Sequence, residues 1–315
     1  MIKREDNQMS ILDSWIDLTS RNEFLKTVEE IIDWKPLEQI LEACYDHTDG
    51  RKGFPPLKLF KMSLLQRWYT LSDGDVLKET KDRLSFMSFT GFGLNDSLPD
   101  DTTLVKFRNR LREHQVETQL FESVMVQLEQ RHMKIKKGTI IDATLVASKN
   151  TPPTKEKDSK DPDARWTKKG GKPHFGYKVH IAEDRDTELI RNFTLTPANT
   201  HECHVFEELL MGDEKIVYAD KGYASEENNN VLADRNITNR IMRKKPREHQ
   251  MTFRIRTLNH RISRIRSKIE RKNGELKLWH GLKRMIYTGI DRCFTHVMMT
   301  IMAVNLKRSV KLVEA

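Results

Sequence analysis

Gly138–Ser148, GTIIDATLVAS, is the stretch on which the fold turns. Up to about residue 130, apolar residues recur at spacings of three and four, the mark of amphipathic helices. From His132 to Gly138 that pattern gives way to a period of two, and GTIIDATLVAS reads as a buried strand. One acid, Asp142, is embedded in it. A charge in such a run is costly alone, so Asp142 needs a cation, hydrogen bonds or a metal ion as compensation.

Upstream, LDSWIDL, LEQILEAC, PLKLFKMSLLQRWY and VETQLFESVMVQLEQRH carry helical spacing, with turns at Gly53-Phe54-Pro55-Pro56, Ser72-Asp73-Gly74 and Thr90-Gly91-Phe92-Gly93. LPDDTTLVKFRNRLREH combines an N-cap near Asp100 to Thr102 with a helix bearing Lys106, Arg108, Arg110 and Arg112. That helix is either a solvated basic face or a DNA-contacting one. The expected division is an all-α domain over 1–130, for DNA binding or assembly, and a second domain over 131–315.

Downstream, HFGYKVHIAED and ELIRNFTLTPAN read as the second and third strands. TPPTKEKDSKDPDARWTKKGGKP, rich in Pro, Gly and charge, reads as a flexible basic loop over 151–173. A short helix (His201 to Met211), a fourth strand KIVYAD, a helix opened by Ser225-Glu226-Glu227 and a fifth strand near ITNRIMRKK follow. The basic helix RISRIRSKIERKNGELK and a last helix, FTHVMMTIMAVNLKRSVKLV, complete the chain. Three sequential strands followed by strands alternating with helices make an α/β fold, a mixed five-stranded sheet with flanking helices. Ribonuclease H-like domains are built this way.

The 315 residues, 37% hydrophobic, suffice for a real core. Three widely spaced cysteines (Cys44, Cys203, Cys293) without a CxxC indicate neither a disulfide framework nor a cysteine-based zinc site. The start MIKREDNQMS has no apolar signal region, and the apolar run near Val297 to Val304 falls short of the ~20 residues a membrane span requires. The expectation is a soluble protein of the reducing cytoplasm. Charge is unevenly placed: residues 1–120 carry 17 Lys/Arg against 21 Asp/Glu, whereas residues 241–290 carry 15 against three. A cationic stretch of that density favours a polyanion partner, nucleic acid first.

Two further acids stand where chemistry is often done. Asp220 ends the strand KIVYAD, a common place for functional side chains in α/β sheets. Glu270 lies on the basic helix, where ~100° per residue puts Arg266, Glu270, Asn273 and Lys277 within roughly 60° of one another and Glu275 opposite. Singly these acids read as salt-bridge or capping partners. Together, Asp142, Asp220 and Glu270 suit a pair of hard divalent cations ~3.5–4 Å apart, the arrangement that activates a nucleophile and stabilises a leaving oxygen in phosphodiester chemistry. Magnesium is the expected ion, with manganese able to replace it.

Several stretches resemble bacterial insertion-sequence transposases of the DDE type, the insertion-sequence-5 family in particular: PDDTTLVKFRNRL, GTIIDATLV, DPDARWTKKGGKPHFGYKVH, TPANTH, YADKGY and IRSKIERKNGELK. The resemblance spans nearly the whole chain. It implies a ribonuclease H-like catalytic domain of the retroviral integrase superfamily, with Asp142, Asp220 and Glu270 matching the DDE triad. Arg266, Glu270 and Lys277 match part of the tyrosine-arginine-glutamate-lysine signature seen in related transposases. Ser263 stands where the tyrosine would fall, and Asn273 precedes Gly274 where many relatives have Phe; Gly274 either permits close DNA approach or marks a helix end.

The activity so implied is cleavage of DNA at terminal inverted repeats and joining of the freed 3′ ends to target DNA, by a homodimer or higher homo-oligomer on double-stranded DNA of the bacterial nucleoid. Arg266 and Lys277, with Arg264, Lys268, Lys178 and His180, are the candidate DNA contacts. A catalytically inactive or domesticated DNA-binding protein, and a hydrolytic nuclease of the same fold, are the alternatives. THECH (His201, Cys203, His204) lacks a residue completing a zinc set and reads as a helix start. Trp166, beside Lys168 and Lys169, either stacks on a base or anchors its loop.

Overall fold

The computed structural model describes residues 22–45, 53–131, 138–245 and 250–314. The LDSWIDL helix and the expected boundary at 132–137 lie outside the described residues. By their contacts the described residues form two units.

The first unit is helical: α1 (Glu23–Ile31), α2 (Trp34–Glu42), α3 (Pro56–Tyr69), α4 (Asp73–Asp82), α5 (Leu84–Thr90), α6 (Asp101–Glu113) and α7 (Glu117–Gln130). Local chemistry sets the helix starts. Asn22, Asp33, Ser72 and Asp100 each accept a hydrogen bond from a backbone N–H two or three residues on. Pro56 opens α3 at a position that needs no N–H, and Gly91 closes α5 in the left-handed conformation, φ 77°. In α6, Leu104, Phe107, Arg108 and Leu111 are buried, a single helical stripe. Arg108 therefore points inward. It forms a two-pronged pair with Asp73, 2.9 and 2.6 Å, while Arg110 covers the Tyr45 ring at 4.1 Å. The basic helix spends two of its cations on packing.

The last helix, α10 (Ile290–Val313), is shared. From Met298 it belongs to the helical unit, although the sequence places all of 131–315 in one domain. The reason is its composition. Met298, Met299, Ile301, Met302, Ala303, Val304, Asn305 and Leu306 are all buried, so this segment is enclosed on every side, and the Trp68 indole donates to the Ala303 carbonyl at 2.7 Å.

The second unit holds a six-stranded mixed sheet: β1 (Gly138–Ala147), β2 (Arg165–Lys169), β3 (Lys172–Asp184), β4 (Ile190–Pro197), β5 (Ile216–Ala219) and β6 (Thr238–Ile241). β3 pairs antiparallel with β1, β2 and β4; β5 runs parallel to β1, and β6 parallel to β5. The helices are α8 (Glu226–Asp234), capped by Ser225, and the long α9 (Phe253–Leu278). Ile141, Ala182, Val217 and Ala219 face Phe206, Tyr223 and Leu232 in one core layer. Asp142, the next residue after Ile141, faces the other way, where Ile262, Ile269 and Leu276 of α9 are buried.

Two sequence expectations are corrected here. The five-stranded sheet gains a strand because residues 165–169, expected in a flexible loop, pair with the start of β3 around Gly170-Gly171. Both glycines have positive φ, 58° and 77°, as a tight hairpin turn requires. The preceding residues are anchored by carboxylates: buried Asp161 accepts from Ser148 Oγ and the Tyr177 hydroxyl, both at 2.6 Å, and Asp163 accepts from the Ile290 N–H at 2.9 Å. The helix expected over His201 to Met211 is two short 3-10 turns, Glu202–Val205 and Glu207–Leu209.

Candidate functional site

Strand register brings the first two acids together. In the parallel β1–β5 ladder Ile141 pairs with Ala219, and the next residue along each chain is Asp142 and Asp220. α9 lies over this point and contributes Arg266, whose side chain is 8% exposed. Its guanidinium donates to Asp142 Oδ1 at 2.9 Å and lies 3.5 Å from Asp220 Oδ1. Asn273, two turns along the same face, donates through Nδ2 to Asp142 Oδ2 at 3.0 Å. Both Asp142 oxygens are therefore held from one helix. Burial pushes the Asp142 carboxyl above the usual carboxylate range, and the Arg266 charge opposes that shift.

Glu270 stands apart. It is exposed, on the solvent edge of α9, and is not brought to the aspartates: among the described residues no three His, Cys, Asp or Glu side chains group closely enough to hold a metal ion. The donor chemistry still suits a hard cation. Asp142 and Asp220 share one positive charge, at present a guanidinium, and beside Asp142 the buried Asn273 Oδ1 has no hydrogen-bond partner. Glu270 follows Arg266 by four residues on α9 and faces solvent.

The remaining candidates divide. Lys277 is half-buried, its ammonium held below the usual lysine value by burial first and then by Lys169, with Asp142 acting in the opposite sense. Arg264 and Ser263 are exposed on α9. Lys268 donates to the Arg185 carbonyl at 2.8 Å, and Lys178 donates to the Thr200 carbonyl at 2.8 Å with Glu202 at 3.7 Å, so both are engaged within the fold. His180 is corrected as a phosphate contact: it is fully buried, its ring shared between Tyr223 (3.4 Å) and Thr196 (3.0 Å). Burial, then Lys178, pushes its pKa down to about 3, so the ring is neutral. Gly274 does not end the helix, which runs on to Leu278, and a side chain there would meet nothing within 4 Å.

Two residues of the centre escaped the sequence reading. Asn273 is placed there on the Arg266 face and noted as a departure from a motif, but without a role, yet it holds Asp142. Glu202 packs its carboxylate against Gly222, where a Cβ would meet Oε2 at 2.2 Å. With Asp142 it bears on Tyr223, whose hydroxyl is raised well above its usual value by burial first and then by these charges.

Residues 134–306 match the family model described as a transposase DDE domain, and residues 13–110 match one described as a transposase domain (DUF772). Among solved structures, the chain is similar to a piggyBac transposase synaptic complex with hairpin DNA, at 12% identity and TM-score 0.46, covering 94% of this chain and 74% of that one. It is also similar to a pre-cleavage Mos1 transpososome, at 12% identity and TM-score 0.22, covering 92% and 97%. At these TM-scores neither likeness bears on function.

Proposed function

The chain belongs to the transposase DDE domain family, and from that premise we propose that its mixed sheet is a ribonuclease H-like catalytic domain that cuts DNA at the terminal inverted repeats of an insertion sequence and joins the freed 3′ ends to target DNA. The observation that carries this reading is the Asp142–Arg266–Asp220 bridge: two acids from neighbouring parallel strands, one of them buried, share a single cationic group. The strand order β4-β3-β1-β5-β6, antiparallel in its first three members and parallel in its last three, supports the fold assignment.

Asp142, Asp220 and Glu270 would hold magnesium or manganese, which when bound activates the attacking oxygen and stabilises the leaving one. The chain's own residues do the positioning. Arg266 and Asn273 fix the Asp142 carboxylate against rotation, and the sheet register fixes Asp220 beside it. Lys277, near Asp142 and only half-buried, offers a positive charge to a phosphate there, and exposed Arg264 extends the cationic surface of α9. Substrate DNA would approach the sheet unit, where the basic excess of residues 241–290 concentrates. Two element ends must meet, so the active form is a homodimer or larger assembly on DNA. No helix among the described residues is long and apolar enough to cross a membrane.

The test is strand transfer with a labelled terminal-repeat duplex in magnesium. Asp142→Asn, Asp220→Asn and Glu270→Gln should each abolish both cutting and joining while leaving binding to the repeat intact. Cutting without joining would indicate a hydrolytic nuclease. Salt-sensitive binding with neither reaction would indicate a DNA-binding protein whose acids serve only the Arg266 bridge.

A further inference from the structure

The hairpin of β2 and the first residues of β3 has no part in the chemistry described so far. Its register sets Lys169 directly across from Lys172, and Thr167 across from His174, on one face. On the other face Trp166 lies across from Phe175 and Lys168 across from Pro173. Lys168, Lys169 and Lys172 are exposed, and among the described residues none has a carboxylate partner. Directly opposed like charges weaken a strand pair. An anion placed between Lys169 and Lys172, which flank the Gly170-Gly171 turn, would relieve that repulsion.

The two faces meet different surroundings. Lys169 and Asp142 act in opposite senses on the half-buried Lys277 ammonium. Around Trp166, Lys168 and Pro173 of the opposite face lies a cleft of about 400 Å³, which Thr167 also borders. Trp166 is 46% exposed, and its ring is braced by the Phe175 ring, 5.5 Å away and tilted by 56°. An exposed, braced indole among lysines is the combination by which proteins hold unstacked bases: the ring accepts any base face, and the cations follow the backbone.

We propose that this hairpin is a DNA-gripping ribbon, in which Lys169 and Lys172 hold the backbone of the strand presented to Asp142 and Trp166 stacks on an unpaired base of the same DNA. The proposal rests on the DNA-processing reading of the acid centre. Its test uses the full chain without magnesium, where binding is measured apart from cutting. Two duplexes are compared, one fully paired and one carrying a single unpaired 2-aminopurine.

The wild-type chain should bind the second duplex about tenfold more tightly and quench its fluorescence. Trp166→Ala should lose both the preference and the quench, and Trp166→Phe should keep the preference. Lys169→Ala should keep the preference while reducing the slope of log K against log salt by about one. A preference and quench that persist in Trp166→Ala, or a salt slope unchanged in Lys169→Ala, would overturn the proposal. A Trp166-dependent preference in a chain that never transfers strands in magnesium would leave the hairpin's role standing and remove the transposase reading. Strand transfer by a chain with no preference for the unpaired base would do the reverse.

Discussion

At Arg266 a single guanidinium answers to two carboxylates, so its removal leaves Asp142 buried with no counter-charge from α9, held only by the hydrogen bonds from Asn273 and the Ala143 N–H. Arg266→Met should cost about 3 kcal/mol of stability by denaturant titration, and adding Asp142→Asn should recover most of it. Asn273→Ala should cost about 1–2 kcal/mol by the same measurement. His180 adds a pH dependence. Its folded pKa, about 3, lies below the unfolded value near 6.5, so the unfolded chain takes up the proton first and stability falls as pH drops through 6.5 toward 3. At pH 5 the loss is about 2 kcal/mol, and His180→Gln should flatten that part of the stability–pH curve. Glu275 illustrates what helical angles alone leave out. It does point away from Arg266, which makes Glu275→Gln look like an inert control, but it is the 2.9 Å partner of the buried Lys272 ammonium. Exposed Glu227, on α8, serves better.

Elements differ in how plainly the sequence announces them. β1 and β5 were legible because each is a short apolar run with an acid at a costly or terminal place, and α9 was legible from its apolar stripe. β2 was not: Arg165 to Lys169 has few apolar side chains, and its strand state comes from pairing with β3 across two glycines, a tertiary cause that local composition does not display. The 3-10 turns after β4 were hidden likewise, since capping by His201 resembles a helix start. Gly176 shows how tightly the pairing is set. A Cβ there would lie 2.2 Å from the Val146 carbonyl oxygen and 2.6 Å from the Ser148 nitrogen, both backbone atoms that cannot move aside without breaking β1 from β3. Gly176→Ala should therefore yield insoluble or unfolded protein, read by circular dichroism and by recovery of soluble chain. Ser225→Ala removes only the α8 cap and should cost about 1 kcal/mol in a thermal melt.

For the molecule as a whole, the sequence disclosed a helical part followed by a mixed sheet, but it misplaced the end of α10. Apolar periodicity shows that a helix is enclosed, not by which neighbours. A chain ending at Val297 would lose the buried segment from Met298 and the acceptor of the Trp68 indole. Its helical unit should be cut faster in limited proteolysis than that of the full chain. The sequence marked Asp142, Asp220 and Glu270 as acids in three elements, of which the structure sets the two aspartates side by side; the guanidinium joining those two was not legible, because contacts across 124 and 131 residues leave no local trace.

Those same separations have a consequence for how the protein comes into being. During synthesis Asp142 and Asp220 leave the ribosome well before α9, so a nascent chain holds both acids without Arg266 to offset them. Sealing the sheet over an uncompensated Asp142 is unfavourable until the helix arrives. Long-range closure of this kind is slow. After dilution from denaturant, the proposed strand-transfer activity should return later than the helical signal, and a chain stopped before α9 should lack it.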